Sequence, residues 1–257
     1  MVDEELKRSV IEDIAMLKYI GLKPVVVHGG GKEISSLLKQ LGKESIFIDG
    51  LRVTDSETAR YAEMVLSGSI SKELVDSLES VGIKAVGISG KDGRMLTCSK
   101  KLDERGRDLG FVGQIERVDT ALLETLLSNN FVPVISPVGV DEASNTYNIN
   151  ADYAASAIAG ALNAQKLIFL TDVEGILKDK DDPSTILRSL SRNQALAYIA
   201  DGTIKGGMIP KVQCCLDGLD KGVESVHVLD GRLPHAILLE IFTTEGIGTM
   251  VTGEELP

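Results

Sequence analysis

The 257-residue sequence predicts an α/β protein whose central sheet is mostly parallel and covered by helices on both faces. Two observations predict it. Short apolar runs at 24–28, 83–89, 131–140, 166–172 and 223–230 each follow a segment of helical period, and that alternation implies crossover connections between parallel strands. With 43% apolar and 25% charged residues, the chain can also build a full core, as one large α/β domain or as two lobes.

The elements follow in order. Over 3–20, Leu6, Val10, Ile14 and Leu17 share one helical face, with Asp3, Glu4 and Glu5 at the positive end of the dipole and Gly21 past the C-terminus. "KPVVVH" then reads as a fully buried strand, "GGG" as a turn, and "EISSLLKQLG" as a helix ending by Gly42. The turn residues of "GKESIFIDGLRVTD" and "GRMLTCSKKLDERGRDLGFVG" predict β-hairpins that project from the sheet as candidate lids. "FVPVISPVGV" reads as one strand. Capping boxes at Thr54/Glu57 and Ser191/Gln194 mark helix starts, and Asn150 can cap the Ala-rich helix that follows it. A soft change near residue 165 divides an N-terminal lobe, 1–165, from a C-terminal lobe, 166–257.

Composition excludes several functions. A formal net charge of −11 argues against a nucleic-acid surface, though local cations and backbone N–H groups can still hold a small anion. Cys98, Cys214 and Cys215 fit neither a disulfide framework nor a metal-ligand spacing and read as buried residues of a reducing compartment. With no apolar run near ~18–20 residues and a charged helical start, the chain reads as cytoplasmic.

"VVVHGGGKE" carries the first chemical signal. A P-loop would need Gly where Val26 stands and Ser or Thr where Glu33 stands, and contiguous Gly29, Gly30 and Gly31 do not match G-x-G-x-x-G. Their placement at a strand end, ahead of a helix, instead suits close approach of an anion to backbone N–H groups. Arg52 in "GLRVT" can clamp a carboxylate. "NINAD" offers the amides of Asn148 and Asn150, with Asp152 in the first turn of an apolar helix. "LTDVEGIL" repeats the strand-end logic at Asp172 and Gly175, and "DGTIKGGMIPK" adds Lys205 and Lys211, so two phosphate-sized sites are expected, one per lobe.

Taken in order, "VVVHGGG", "GLRVT", "NINADYAA", "LTDVEGIL", "GGMIPK" and "EIFTTEGIGTMV" resemble the N-acetylglutamate kinases of the amino acid kinase family, over nearly the whole chain. The resemblance implies a three-layer αβα sandwich, with N-acetyl-L-glutamate on the N-terminal lobe and ATP with Mg2+ on the C-terminal lobe. It implies transfer of the γ-phosphoryl group to the side-chain carboxylate in arginine biosynthesis. By matching position, Gly30 and Gly31 would meet the acceptor carboxylate and the phosphoryl group, and Arg52 and Asn148 would hold the α-carboxylate and acetamido end. Asp172, Val173, Glu174, Gly175, Ile176 and Leu177, with Thr203, Ile204 and Lys205, would line the nucleotide site. Lys211 would neutralise the phosphoryl oxygens, and Asp152 would orient the lysines.

The family opens on a strand ending in Lys-x-Gly-Gly. Neither Lys7 nor Lys32 takes that lysine's place, so such a strand is expected upstream of Met1. The C-terminal segment resembles the arginine-inhibited branch, with Glu245 and Gly248 as effector-site candidates, and implies a homodimer or a dimer-based hexamer. In oxygenic phototrophs such enzymes can bind the nitrogen-signalling PII protein, a partner no residue here selects for. The alternatives are a sister kinase with another acceptor and a noncatalytic binding relative.

Overall fold

The structure, a computed structural model, describes residues 4–103, 105–179 and 182–254; Asp3, expected in the first helical turn, lies outside them. The chain divides into two compact units, Ile20–Ala154 and Met1–Tyr19 with Ala155–Pro257. The first is called here the glycine-loop unit and the second the terminal unit.

In the glycine-loop unit, β1 (Val26–Val27), β7 (Val132–Ser136) and β4 (Ala85–Ser89) form a parallel sheet in the order β1-β7-β4. The run read as fully buried is therefore only half-buried at Val26 and Val27, because among the described residues β1 pairs with β7 alone, at the edge of this sheet. The run 131–140 is also not one strand. Pro137, which has no N–H to give a ladder, separates β7 from β8 (Val138–Val140).

Helix α2 (Gly31–Gln40) follows the glycine turn, and the first hairpin forms as expected from β2 (Phe47–Ile48) and β3 (Leu51–Arg52). Its turn residues Asp49 and Gly50 both have positive φ, 50° and 77°, as a tight two-residue turn requires. The second hairpin does more than project: β5 (Leu96–Leu102) and β6 (Asp108–Val118) close with β8 and β9 (Thr146–Asn148) into a small barrel.

The expected box at Thr54/Glu57 does not form. Asp55 is the cap of α3 (Ser56–Glu63), accepting from the Thr58 N–H at 2.6 Å, while Thr54 donates to the Arg52 carbonyl at 2.6 Å. Glu57 is drawn away by Lys43 at 2.5 Å and Tyr61 at 2.8 Å. Helix α3 then runs through a π-helical turn, Met64–Ile70, into α4 (Ser71–Ser80), and α5 (Ala121–Ser128) leads into β7. Leu66 and Ile70 of that turn pack with Ile34, Leu38, Ala62 and Val138.

The terminal unit holds a sheet ordered β10 (Lys166–Thr171), β12 (Ser225–Asp230), β13 (Thr249–Thr252), β11 (Ser189–Ser191). Pairs β10–β12 and β11–β13 are parallel and β12–β13 antiparallel. Helix α7 (Arg192–Ala200) starts on the expected Ser191/Gln194 box, and α8 (Met208–Asp220) follows it.

Helix α1 (Glu4–Tyr19) buries Val10, Ile14 and Leu17 as its period predicts, and also Ile11 and Ala15. It belongs to the terminal unit because Ser9 and Asp13 bond to the start of α9 (Ala236–Phe242). Fully buried Asp13 accepts from His235 Nδ1 at 2.7 Å and the Ile237 N–H at 3.1 Å, and so caps a helix far along the chain. The division between units falls inside α6 (Ala151–Ala161) and not at residue 165. Cys98, Cys214 and Cys215 are buried, and burial pushes the Cys98 thiol up to about 12. No helix among the described residues is long and apolar enough to cross a membrane.

Candidate active site

In the glycine-loop unit, all three glycine carbonyls are tied. The Gly29 oxygen faces His28 Nδ1 at 3.0 Å, that of Gly30 accepts from the Ile34 N–H at 3.0 Å, and that of Gly31 accepts from Arg52 Nη2 at 2.7 Å and Ser35 Oγ at 2.9 Å. No acceptor among the described residues takes the N–H groups of Gly30, Gly31 or Lys32. A peptide plane is rigid and trans, so turning one carbonyl inward turns the next residue's N–H outward. The result is a run of free donors at the N-terminus of α2, the arrangement that receives an anion.

Only one of the three glycines is forced by packing. A Cβ on Gly30 would come within 2.3 Å of Ile70 Cδ1 and 2.8 Å of Leu66 Cδ2, whereas one on Gly29 would meet only Ala151 Cβ at 3.8 Å and one on Gly31 only Arg52 Nη2 at 4.0 Å. The side of Gly30 where a side chain would stand is thus filled by the π-helical turn.

Arg52 is 6% exposed and donates to Gly31 O, to Ser35 Oγ at 2.8 Å and to Ser45 Oγ at 2.6 Å, with its guanidinium 4.6 Å from the Phe47 ring centroid. All of these partners are neutral. Burial lowers its pKa with no carboxylate among the described residues to offset the effect, yet a guanidinium stays charged, so the site holds a buried cation with only neutral partners among them.

Strand pairing links this corner to the amide residues. Thr54 bridges Gly110, and two residues on, Val112 pairs with Asn148. Gly110, at φ 81°, has no room for a Cβ, which would lie 2.1 Å from the Thr54 oxygen. Asn148 is half-buried, and its side-chain amide meets no partner among the described residues. As expected, Asn150 caps α6, accepting from Asp152 N–H at 2.9 Å and Tyr153 N–H at 3.3 Å. Asp152 is half-buried in the first turn.

In the terminal unit, Lys211 in α8 lies with its Nζ 5.5 Å from the ring centroid of Phe169 in β10, the strand that leads into Asp172. Asp172 and Glu174 are exposed, and Val173 is held by the Thr171 hydroxyl at 3.1 Å. Ile176 and Ile204 are fully buried core residues, so only their backbone could face a nucleotide. Gly175 packs on Thr249, Leu177 bridges Ile186, Thr203 N–H donates to Asp201 at 2.9 Å, and Lys205 is exposed. The effector candidates separate: Glu245 is exposed, while Gly248 is buried against the Val228 carbonyl and donates to Glu240 Oε2 at 3.1 Å. Among the described residues no group of three or more His, Cys, Asp or Glu could hold a metal ion.

A sequence model of the amino acid kinase family matches residues 1–230. The chain belongs to the amino acid kinase family. It is 50% identical over 259 residues to the acetylglutamate kinase of Methanococcus aeolicus, covering 98% of this chain and 88% of that one. It is 51% identical over 256 residues to that of Symbiobacterium thermophilum, covering 98% and 87%. Among solved structures, N-acetylglutamate synthase from Neisseria gonorrhoeae, complexed with coenzyme A and N-acetyl-glutamate, superposes with a TM-score of 0.84 at 26% identity. That match covers 99% of this chain and 57% of the synthase.

Several polar residues of this amino acid kinase escape motif reasoning. His28, Ser35 and Ser45 hold the glycine loop and Arg52, but isolated hydroxyls and one His carry no spacing signal. Arg232, paired with Asp230, stands beside Asp172 and Glu174, whose charges help raise its pKa. Glu240 could have been noticed as the one acid in the apolar run "AILLEIF".

Proposed function

We propose that this chain is an acetylglutamate kinase, which transfers the γ-phosphoryl group of ATP to the side-chain carboxylate of N-acetyl-L-glutamate. The observation that carries the acceptor reading is the buried Arg52 guanidinium of β3, bonded to the Gly31 carbonyl of the loop that presents the free glycine N–H groups. Such a corner is complementary to a carboxylate, and the resemblance to curated acetylglutamate kinases supports which one.

An oxygen of the acceptor carboxylate attacks the γ-phosphorus and the bond to the β-phosphate oxygen breaks, leaving ADP and an acyl phosphate. The nucleophile is already ionised, so no general base is needed; what the protein supplies is alignment and charge stabilisation. In this reading Gly30 and Gly31 N–H groups receive oxygens of the two anions, and Arg52 and Asn148 orient the acylated amino acid. Lys211 offsets charge on the phosphoryl group, with Asp152 as the acidic member of the set. Asp172–Leu177 and Thr203–Lys205 line the nucleotide, with Ile176 and Ile204 contributing backbone only.

Mg2+ would be carried chiefly by the nucleotide's phosphates and would supply charge neutralisation there; among the described residues no group of three or more His, Cys, Asp or Glu could hold it alone. Arginine would act as effector near Glu245 and Gly248, and isothermal titration giving no heat would count against that role.

A hydroxamate assay for acyl phosphate tests the proposal, run with ATP, magnesium and N-acetyl-L-glutamate on this chain and on one supplied with an upstream Lys-x-Gly-Gly strand. Acyl phosphate from either supports the kinase. Its absence from both, with N-acetyl-L-glutamate still bound, means a binding protein.

A further inference from the structure

The structure assigns His28 as a positioning residue that aims the Gly30 N–H at the acceptor site, an assignment that rests on the acceptor reading proposed above. His28 is buried at the end of β1, where its own N–H donates to Ile135 O at 3.2 Å and fixes its place in the sheet. Its ring lies between two partners: Nδ1 is 3.0 Å from the Gly29 carbonyl and Nε2 is 3.1 Å from Ser136 Oγ.

A carbonyl oxygen can only accept, so Nδ1 carries a proton. Burial holds the imidazole below its ordinary 6.5, leaving it neutral at pH 7, and Nε2 therefore accepts from the Ser136 hydroxyl. The tautomer is set by the protein.

The consequence runs through one peptide plane. Tying the Gly29 oxygen to the ring turns the Gly30 N–H the opposite way, and no acceptor among the described residues meets it there. Gly30 and Gly31 carbonyls are tied by α2 and by Arg52, but nothing except His28 takes the Gly29 carbonyl among the described residues. With three glycines in a row, this plane has little steric restraint of its own. His28 supplies the restraint without touching the ligand.

Three variants separate this from a packing role. Asn at 28 keeps a donor where Nδ1 stands, Gln places one nearer Nε2, and Phe keeps the ring volume with no donor. Titration calorimetry with N-acetyl-L-glutamate should show His28→Phe and His28→Gln weakened about 10-fold or more and His28→Asn within about threefold of the parent, the loss expected for one hydrogen bond to a charged group. Parent-like affinity in His28→Phe, or rescue by Gln in place of Asn, would overturn the assignment.

A second readout is independent of substrate. Nitrogen-15 spectra of the imidazole should show the single proton on Nδ1, and His28→Phe should shift the Gly30 amide resonance. A proton on Nε2, or an unmoved Gly30 amide, would overturn the assignment even if the kinase reading holds. If the parent neither binds N-acetyl-L-glutamate nor makes acyl phosphate, the acceptor reading fails alone, and these spectra still decide whether His28 sets the Gly30 peptide.

Discussion

Arg52 Nη2 lies 2.7 Å from the carbonyl oxygen of Gly31, so the buried cation of the glycine-loop unit is fastened to the loop whose N–H groups it accompanies. A lysine could keep the charge but not the fork that reaches Gly31, Ser35 and Ser45 together. Arg52→Lys should raise the KM for N-acetyl-L-glutamate roughly 10- to 100-fold, from the loss of about 1.5–3 kcal/mol in charged hydrogen bonding, and leave the KM for ATP near parent. Steady-state kinetics with each substrate varied checks this; equal changes in both KM values would argue against an acceptor role.

The glycines differ in what they tolerate. Gly30→Ala forces a methyl group onto Ile70 and Leu66 and should cost about 1–3 kcal/mol of stability, read as a lower Tm, while Gly31→Ala makes only van der Waals contact with Arg52 Nη2 and should keep its Tm. Thermal unfolding of the two variants side by side is the measurement. A larger loss for Gly31→Ala would mean that the π-helical turn is not what confines the loop.

Helix α1 is tied to α9 by a buried acid. Asp13→Ala strips a partner from His235 and from the Ile237 N–H, leaving the latter buried and unsatisfied. Unfolding in denaturant should show a loss of roughly 2–3 kcal/mol with an unchanged m-value, and Asp13→Asn, which keeps an acceptor, a smaller one.

Acid should loosen the C-terminal loop. Burial pushes Glu240 up, but bonds from His227 at 2.7 Å and from the Ile247 and Gly248 N–H groups, at 2.7 and 3.1 Å, outweigh it and hold the carboxyl at about 2 against an ordinary 4.5. A carboxyl depressed by folding contributes stability that is complete above 4.5 and is lost as pH falls from there toward 2. Unfolding free energies between pH 6 and 3 should therefore fall less steeply in Glu240→Gln than in the parent. Parallel curves would show that Glu240 is not the titrating group.

Much of this is legible in the sequence because it depends on local rules. Leu6, Val10, Ile14 and Leu17 declare α1, Asp49-Gly50 declares a hairpin, and Ser191 with Gln194 declares a helix start. What escapes is set by partners far along the chain. Thr54 loses its expected capping role because Asp55 sits one residue closer to the helix and Lys43 takes Glu57. Strands β11 and β13 are too short to announce themselves: β11 exists by pairing with β13, which pairs in turn with β12. In the candidate site, "HGGG" and Arg52 stand out as residue types, but that Arg52 reaches back 21 residues to Gly31, or that His28 spans to Ser136, 108 residues on, is a product of the fold.

Amide chemical-shift titration with N-acetyl-L-glutamate observes the free glycine N–H groups themselves. Saturable shifts should concentrate at Gly30, Gly31 and Lys32 and be abolished by Arg52→Met. Saturable binding that moves other amides and leaves these three in place would contradict the acceptor reading.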